Sequence, residues 1–105
     1  MKNLNSILIE GEILECPKLS TVSDSLERCT FAIGSGDETP AVPIVAYGRL
    51  ALRANELLDK GSSIRVVGRL GQDLESSATM DTFRLWVIAE HLEVKPSFAH
   101  RAEVA

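Results

Sequence analysis

Leu50, Ala54, Leu57 and Leu58 recur at helical spacing, with Arg53, Asn55 and Glu56 left for the solvent side. Elsewhere the legible apolar patterns alternate, apart from one short run that is apolar almost throughout. One helical segment among alternating ones limits the chain to a mostly β architecture with its helix at one fixed place in the order. Before the helix, residues 5–14 set Ile7, Ile9 and Ile13 against Glu10 and Glu12, while Cys29, Phe31 and Ile33 share one face of a second strand. Residues 42–47 form a third, apolar almost throughout, in which Pro43 marks an edge or a bulge. After the helix, Ile64, Val66 and Leu70 alternate with Arg65, Val67 and Arg69. Phe83, Leu85, Val87 and Ala89 then alternate with Arg84, Trp86, Ile88 and Glu90.

The breaks fit this order. Cys16-Pro17 ends or bends the first strand, and Ser23-Asp24-Ser25 supplies turn chemistry. Residues 34–40 and 71–81 are polar connections, and Lys60 with Gly61 suits the end of a helix. Five strands with one α-helix between strands 3 and 4 predict an all-β fold, a small closed barrel of the oligonucleotide-binding (OB) type. A helix-capped open sheet is the competing architecture. Residues 1–96 are expected to form the one domain and residues 97–105 a mobile tail, because 105 residues leave no room for a second core.

Eleven Lys and Arg against fifteen Asp and Glu give a net charge of −4, which argues against a protein that coats nucleic acid through net charge alone. A local basic patch stays open. The first apolar residues meet Glu10 and Glu12 too soon for a signal peptide, and no apolar run approaches membrane-spanning length. Two cysteines make neither a disulfide framework nor a paired-cysteine zinc site, so a reduced, cytoplasmic protein without a cofactor is expected. His91 and His100 have no acids or cysteines at ligand spacing. The chain has no Gly-rich phosphate loop, no nucleophile elbow and no nucleophile paired with a base, so an enzyme is not expected.

Tyr47-Gly48-Arg49-Leu50-Ala51, then Leu58-x-Lys60-Gly61-Ser62, then Val67-Gly68-Arg69-Leu70 resembles the bacterial single-stranded DNA-binding protein family in both letters and spacing. Asn5-Ser6-Ile7-Leu8-Ile9-x-Gly11 and Val87-Ile88-Ala89-Glu90-x-Leu92 extend the resemblance over residues 5–94. It implies an OB-fold that binds single strands by stacking bases on aromatic rings along a basic groove, in replication, recombination or repair. It also implies a homo-oligomer, dimer or tetramer, built by pairing the first strand with its own copy.

The sequence departs from the family where DNA is usually touched. Ala41 stands where an aromatic is common, and Gly71-Gln72-Asp73-Leu74-Glu75 replaces a basic run ending in tryptophan. A short connection with Asp37 and Glu38 replaces a longer one bearing tryptophan and basic residues. The given sequence stops at Ala105 without the long Gly/Pro/Gln-rich tail and acidic tip that the family uses to recruit repair and replication partners.

The surviving nucleic-acid candidates are Tyr47, Arg49, Arg65, Arg69, Arg84 and Trp86. Tyr47 either stacks on a base or packs on the barrel surface. Arg49, beside it, is placed for a phosphate. Arg65 and Arg69 share a strand face that Arg84 extends, as a phosphate row or as a solvated face bridged to Glu10 and Glu12. Trp86 is a stacking platform or an anchor in a subunit interface. The expected partner is single-stranded DNA or, by the same chemistry, RNA, bound more weakly than family members usually bind it. A protein-interaction module that has lost DNA binding and a primosomal-type accessory replication protein are the alternatives.

Overall fold

A computed structural model describes residues 4–22, 25–34, 41–73 and 85–95. Six strands and one helix follow in the order β1 (Ile7–Ile13), β2 (Lys18–Val22), β3 (Leu26–Gly34), β4 (Val42–Tyr47), α1 (Arg49–Leu57), β5 (Ser63–Gly71) and β6 (Trp86–Val94). The sheet runs β1-β5-β6-β4-β3-β2, and a further pairing of β1 with β3 closes it into a barrel of five strands. Closure removes the open sheet from contention and gives the OB architecture.

The extra strand is the far half of a bent first strand. Ile13 lies opposite Ile33 and Lys18 opposite Thr30, so five steps along β1 and β2 match three along β3. The two surplus residues bulge out around Pro17, which has no N–H to give the ladder. Counted as one bent strand, β1 and β2 leave α1 between the third and fourth strands, as the periodicity predicts.

Ile13, Cys29, Phe31, Ile33, Ile44, Ala46, Ile64, Val66, Val87 and Ala89 fill the barrel, and Ala51, Ala54 and Leu58 close it from α1. Small residues on the inner face of α1 let the helix approach the barrel closely. Leu57 departs from the expected apolar face: it is 54% exposed, beside a groove of about 310 Å³ also lined by Leu50, Leu92 and Val94. The helix also ends earlier than Lys60 and Gly61 suggested. Leu58 is already extended and turns into the core. Gly61, at φ +93°, sends its N–H to the Ile13 carbonyl at 2.8 Å, so its left-handed backbone ties the turn to β1.

Alternation breaks once more, between β5 and β6. Val67 pairs with His91 but Gly68 with Ala89, leaving Glu90 as the extra residue. The bulge resets the parity of β6, so Leu92 packs against the core although it lies an odd number of residues from Ala89. Cys29 is buried in the core and Cys16 exposed, both as free thiols. Burial pushes the Cys29 thiol pKa up. No helix among the described residues is long and apolar enough to cross a membrane.

Candidate nucleic-acid interface

The inward set of β3 and β4 fixes what faces out. Cys29, Phe31 and Ile33 point in, so Arg28, Thr30 and Ala32 point out; on β4, Ile44 and Ala46 point in, so Pro43, Val45 and Tyr47 point out. Across the wall, Thr30 pairs with Val45, Val45 with Ile88 and Ile88 with Arg69. Val45 is fully buried and Ile88 only 8% exposed. Neither belongs to the barrel core. This stretch of outer wall is therefore covered.

Asp73 lies against it. The Asp73 carboxylate, 5% exposed, accepts Arg28 Nε at 2.9 and 3.0 Å on its two oxygens. It also accepts Arg28 Nη2 and the Tyr47 phenol. Arg28 and Tyr47 are cross-strand partners, so two neighbouring strands supply the donors while the end of β5 delivers the acceptor. The same guanidinium lies 5.8 Å from the centre of the Trp86 ring, a cation–π distance. Two rings, a cation and a carboxylate thus share one outward surface. Beside them a depression of about 180 Å³ is lined by Thr30, Ala32, Pro43 and Trp86 from the wall and by Glu15, Cys16 and Lys18 around the bend of the first strand. Its lining offers the Trp86 ring as a stacking surface, with the opposite charges of Glu15 and Lys18 at its side.

The other candidates lie apart or pair elsewhere. Arg65 is bound to Glu10 at 2.8 Å and Glu93 at 3.4 Å, and Lys95 reaches Glu10 at 3.3 Å. The solvated, carboxylate-bridged face is what Arg65 occupies, with Glu93 rather than Glu12 as second partner. Arg49, the first residue of α1, and Arg69, near the end of β5, are exposed and make no ion pair among the described residues. Arg84, with Phe83, Asp37, Glu38, His100 and residues 97–105, lies outside the described residues. No three His, Cys, Asp or Glu side chains among the described residues form a metal-binding group. Sequence reasoning missed Arg28 and Asp73. The parity of β3 was sufficient to place Arg28 outward, but no local pattern marks Asp73 as buried.

Arg65 and Lys95 hold the Glu10 carboxyl below its ordinary pKa, the Arg65 hydrogen bond most strongly. A depressed carboxyl stabilises the fold above its unfolded pKa, and that contribution disappears as pH falls through the folded value. In an NMR titration Glu10 is expected to protonate below the ordinary glutamate range, and Arg65→Gln to move it back up. An unchanged midpoint in Arg65→Gln would mean that the ion pair does not persist in solution.

The family model for the single-strand binding protein family matches residues 4–94. The chain belongs to that family. Among solved structures it is similar to the single-stranded DNA-binding protein from Thermus aquaticus, with 26% identity and a TM-score of 0.75. That match covers 90% of this chain and 41% of the Thermus aquaticus protein, so the chain spans about two fifths of that protein's length. A deletion mutant of the same protein matches at the same identity and TM-score, covering 90% of this chain and 42% of that one. The SSB domain of a Synechococcus protein matches at a TM-score of 0.71, covering 88% of this chain and 97% of that domain; at 14% identity the likeness is one of fold.

Proposed function

We propose that this chain is a non-catalytic binder of single-stranded DNA that acts where strands are exposed during replication, recombination or repair, in the cytoplasm. The observation that carries this is the gathering of the Arg28 guanidinium and the Tyr47 and Trp86 rings on one outward face of the barrel, beside a depression of about 180 Å³ that Trp86 lines. Stacking and phosphate pairing are the two interactions that non-specific single-strand binding uses. RNA offers the same faces and charges, and competition by oligo-U would measure the preference.

Binding is weak and salt-sensitive on this reading. Each missing stacking ring removes about 1–3 kcal/mol, and the net charge of −4 opposes the strand. In an anisotropy titration with labelled oligo-dT, saturable binding is expected at low salt and should fade towards physiological salt. Arg69→Ala should make the dependence of log K on log salt shallower by about 0.7, one phosphate contact on a single strand. Absence of saturable binding at low salt would instead favour a protein-interaction module, the reading to which Asp73's hold on Arg28 lends support.

A homo-oligomer is part of the proposal. Residues Ile7 to Glu12 pair with β5 on one edge, and among the described residues no strand pairs with the other edge before Glu12. Leu8, 68% exposed, stands on this strand. An isologous pairing of two β1 strands would satisfy the edge and cover Leu8. Sedimentation at micromolar concentration should therefore give a dimer or tetramer, and a monomer mass would contradict it.

A further inference from the structure

Arg28 and Tyr47 are the donors on the outward face best suited to an anion, and a carboxylate of the same chain already sits between them. Asp73 presents two oxygens to the guanidinium in a bidentate arrangement and receives the phenol on one of them. Guanidinium forks recognise carboxylate and phosphate with the same geometry. The Arg28 side chain is 15% exposed and that of Asp73 4%, so little of either reaches solvent while the pair is made.

We infer that Asp73 is an internal competitor for phosphate at Arg28, and that it sets the affinity of this face for single strands by holding the guanidinium and the Tyr47 phenol until a strand displaces it. This rests on the single-strand reading above and adds to it a residue that limits binding rather than making it. Every phosphate entering between Arg28 and Tyr47 must first break a buried, bidentate pair. Exposed cations such as Arg69 and Lys18 carry no such charge for entry, so first contact falls to them and engagement of Arg28 comes second.

The test uses the intact chain and labelled oligo-dT, read by anisotropy across a salt series. Asp73→Asn should bind at least about ten times more tightly at low salt, with a salt slope steeper by about 0.7 for one added phosphate contact. Glu56→Gln, the same change of charge on the exposed side of α1, should alter affinity less than twofold. Arg28→Gln added to Asp73→Asn should abolish the gain. Asp73→Asn binding no better than Glu56→Gln, with an unchanged circular dichroism spectrum, overturns the inference and leaves the single-strand reading standing. If neither the unmodified chain nor Asp73→Asn binds, both fall together. Should Asp73→Asn fail to fold, the unmodified chain decides: the Arg28 Nε–H resonance must shift when oligo-dT saturates the protein, and a resonance that stays in place at saturation overturns the inference.

Discussion

Replacing Arg28 with alanine is expected to destabilise the barrel by about 3–5 kcal/mol, the range for removing one partner of a buried ion pair. The loss comes mainly from the group left behind. Asp73, 5% exposed, would keep the Tyr47 phenol but lose the Arg28 guanidinium that both its oxygens accept. Arg28→Met combined with Asp73→Leu should recover most of the stability, because a well-packed apolar pair replaces a buried ion pair at little or no cost. Urea unfolding of Arg28→Met, Asp73→Leu and the double variant measures the coupling directly. Additive losses would show that Arg28 and Asp73 stabilise the protein separately rather than as a pair.

Gly68→Ala is the second large effect. A methyl group at Gly68 would lie 2.1 Å from the Ile88 carbonyl oxygen and 3.2 Å from Ala89 Cα. Those are backbone atoms of β6 and cannot rotate away. The bulge at Glu90 brings the two strands this close, so alanine must force them apart or shift the register. Overpacking ordinarily costs about 1–3 kcal/mol, and collision with backbone puts this case at the upper end or beyond. In a domain of this size each kcal/mol lowers the melting temperature by about 4–8 °C, so a fall well above 10 °C is expected by calorimetry. A fall of only a degree or two would mean that β5 and β6 are less closely apposed than they stand here.

The barrel was legible because its walls alternate and its helix does not. Ile13, Phe31, Ile64 and Val66 are buried where period two places them, although Leu70 on the same predicted face is 42% exposed, and Pro17 bends the first strand where proline should. The half-strand Lys18–Val22 left no trace because four of its five residues are exposed. A strand held only by its pairing with β3, with no buried face, has no apolar period to read. The candidate site was half legible. Tyr47 and Trp86 could be placed on the outside by parity, but counting cations and rings in residues 71–75 treated Asp73 as mere loss of a DNA contact. Its burial arises from residues 28 and 47, on β3 and β4, meeting residue 73 just past the end of β5, a convergence that no local spacing encodes. Arg65, by contrast, sits opposite Glu10 and Glu93 in register, and its carboxylate-bridged state was among the readings open from sequence.

The most direct test of single-strand binding on this face is a proton–nitrogen correlation spectrum of the intact chain during titration with oligo-dT at low salt. Saturable shifts are expected in the Trp86 indole and in the amides of Arg28, Thr30, Val45 and Tyr47, with Glu10 and Glu93, on the carboxylate-bridged face, moving little. A spectrum that does not change, or one whose shifts fall around Arg65 while the Trp86 indole stays in place, would contradict the account.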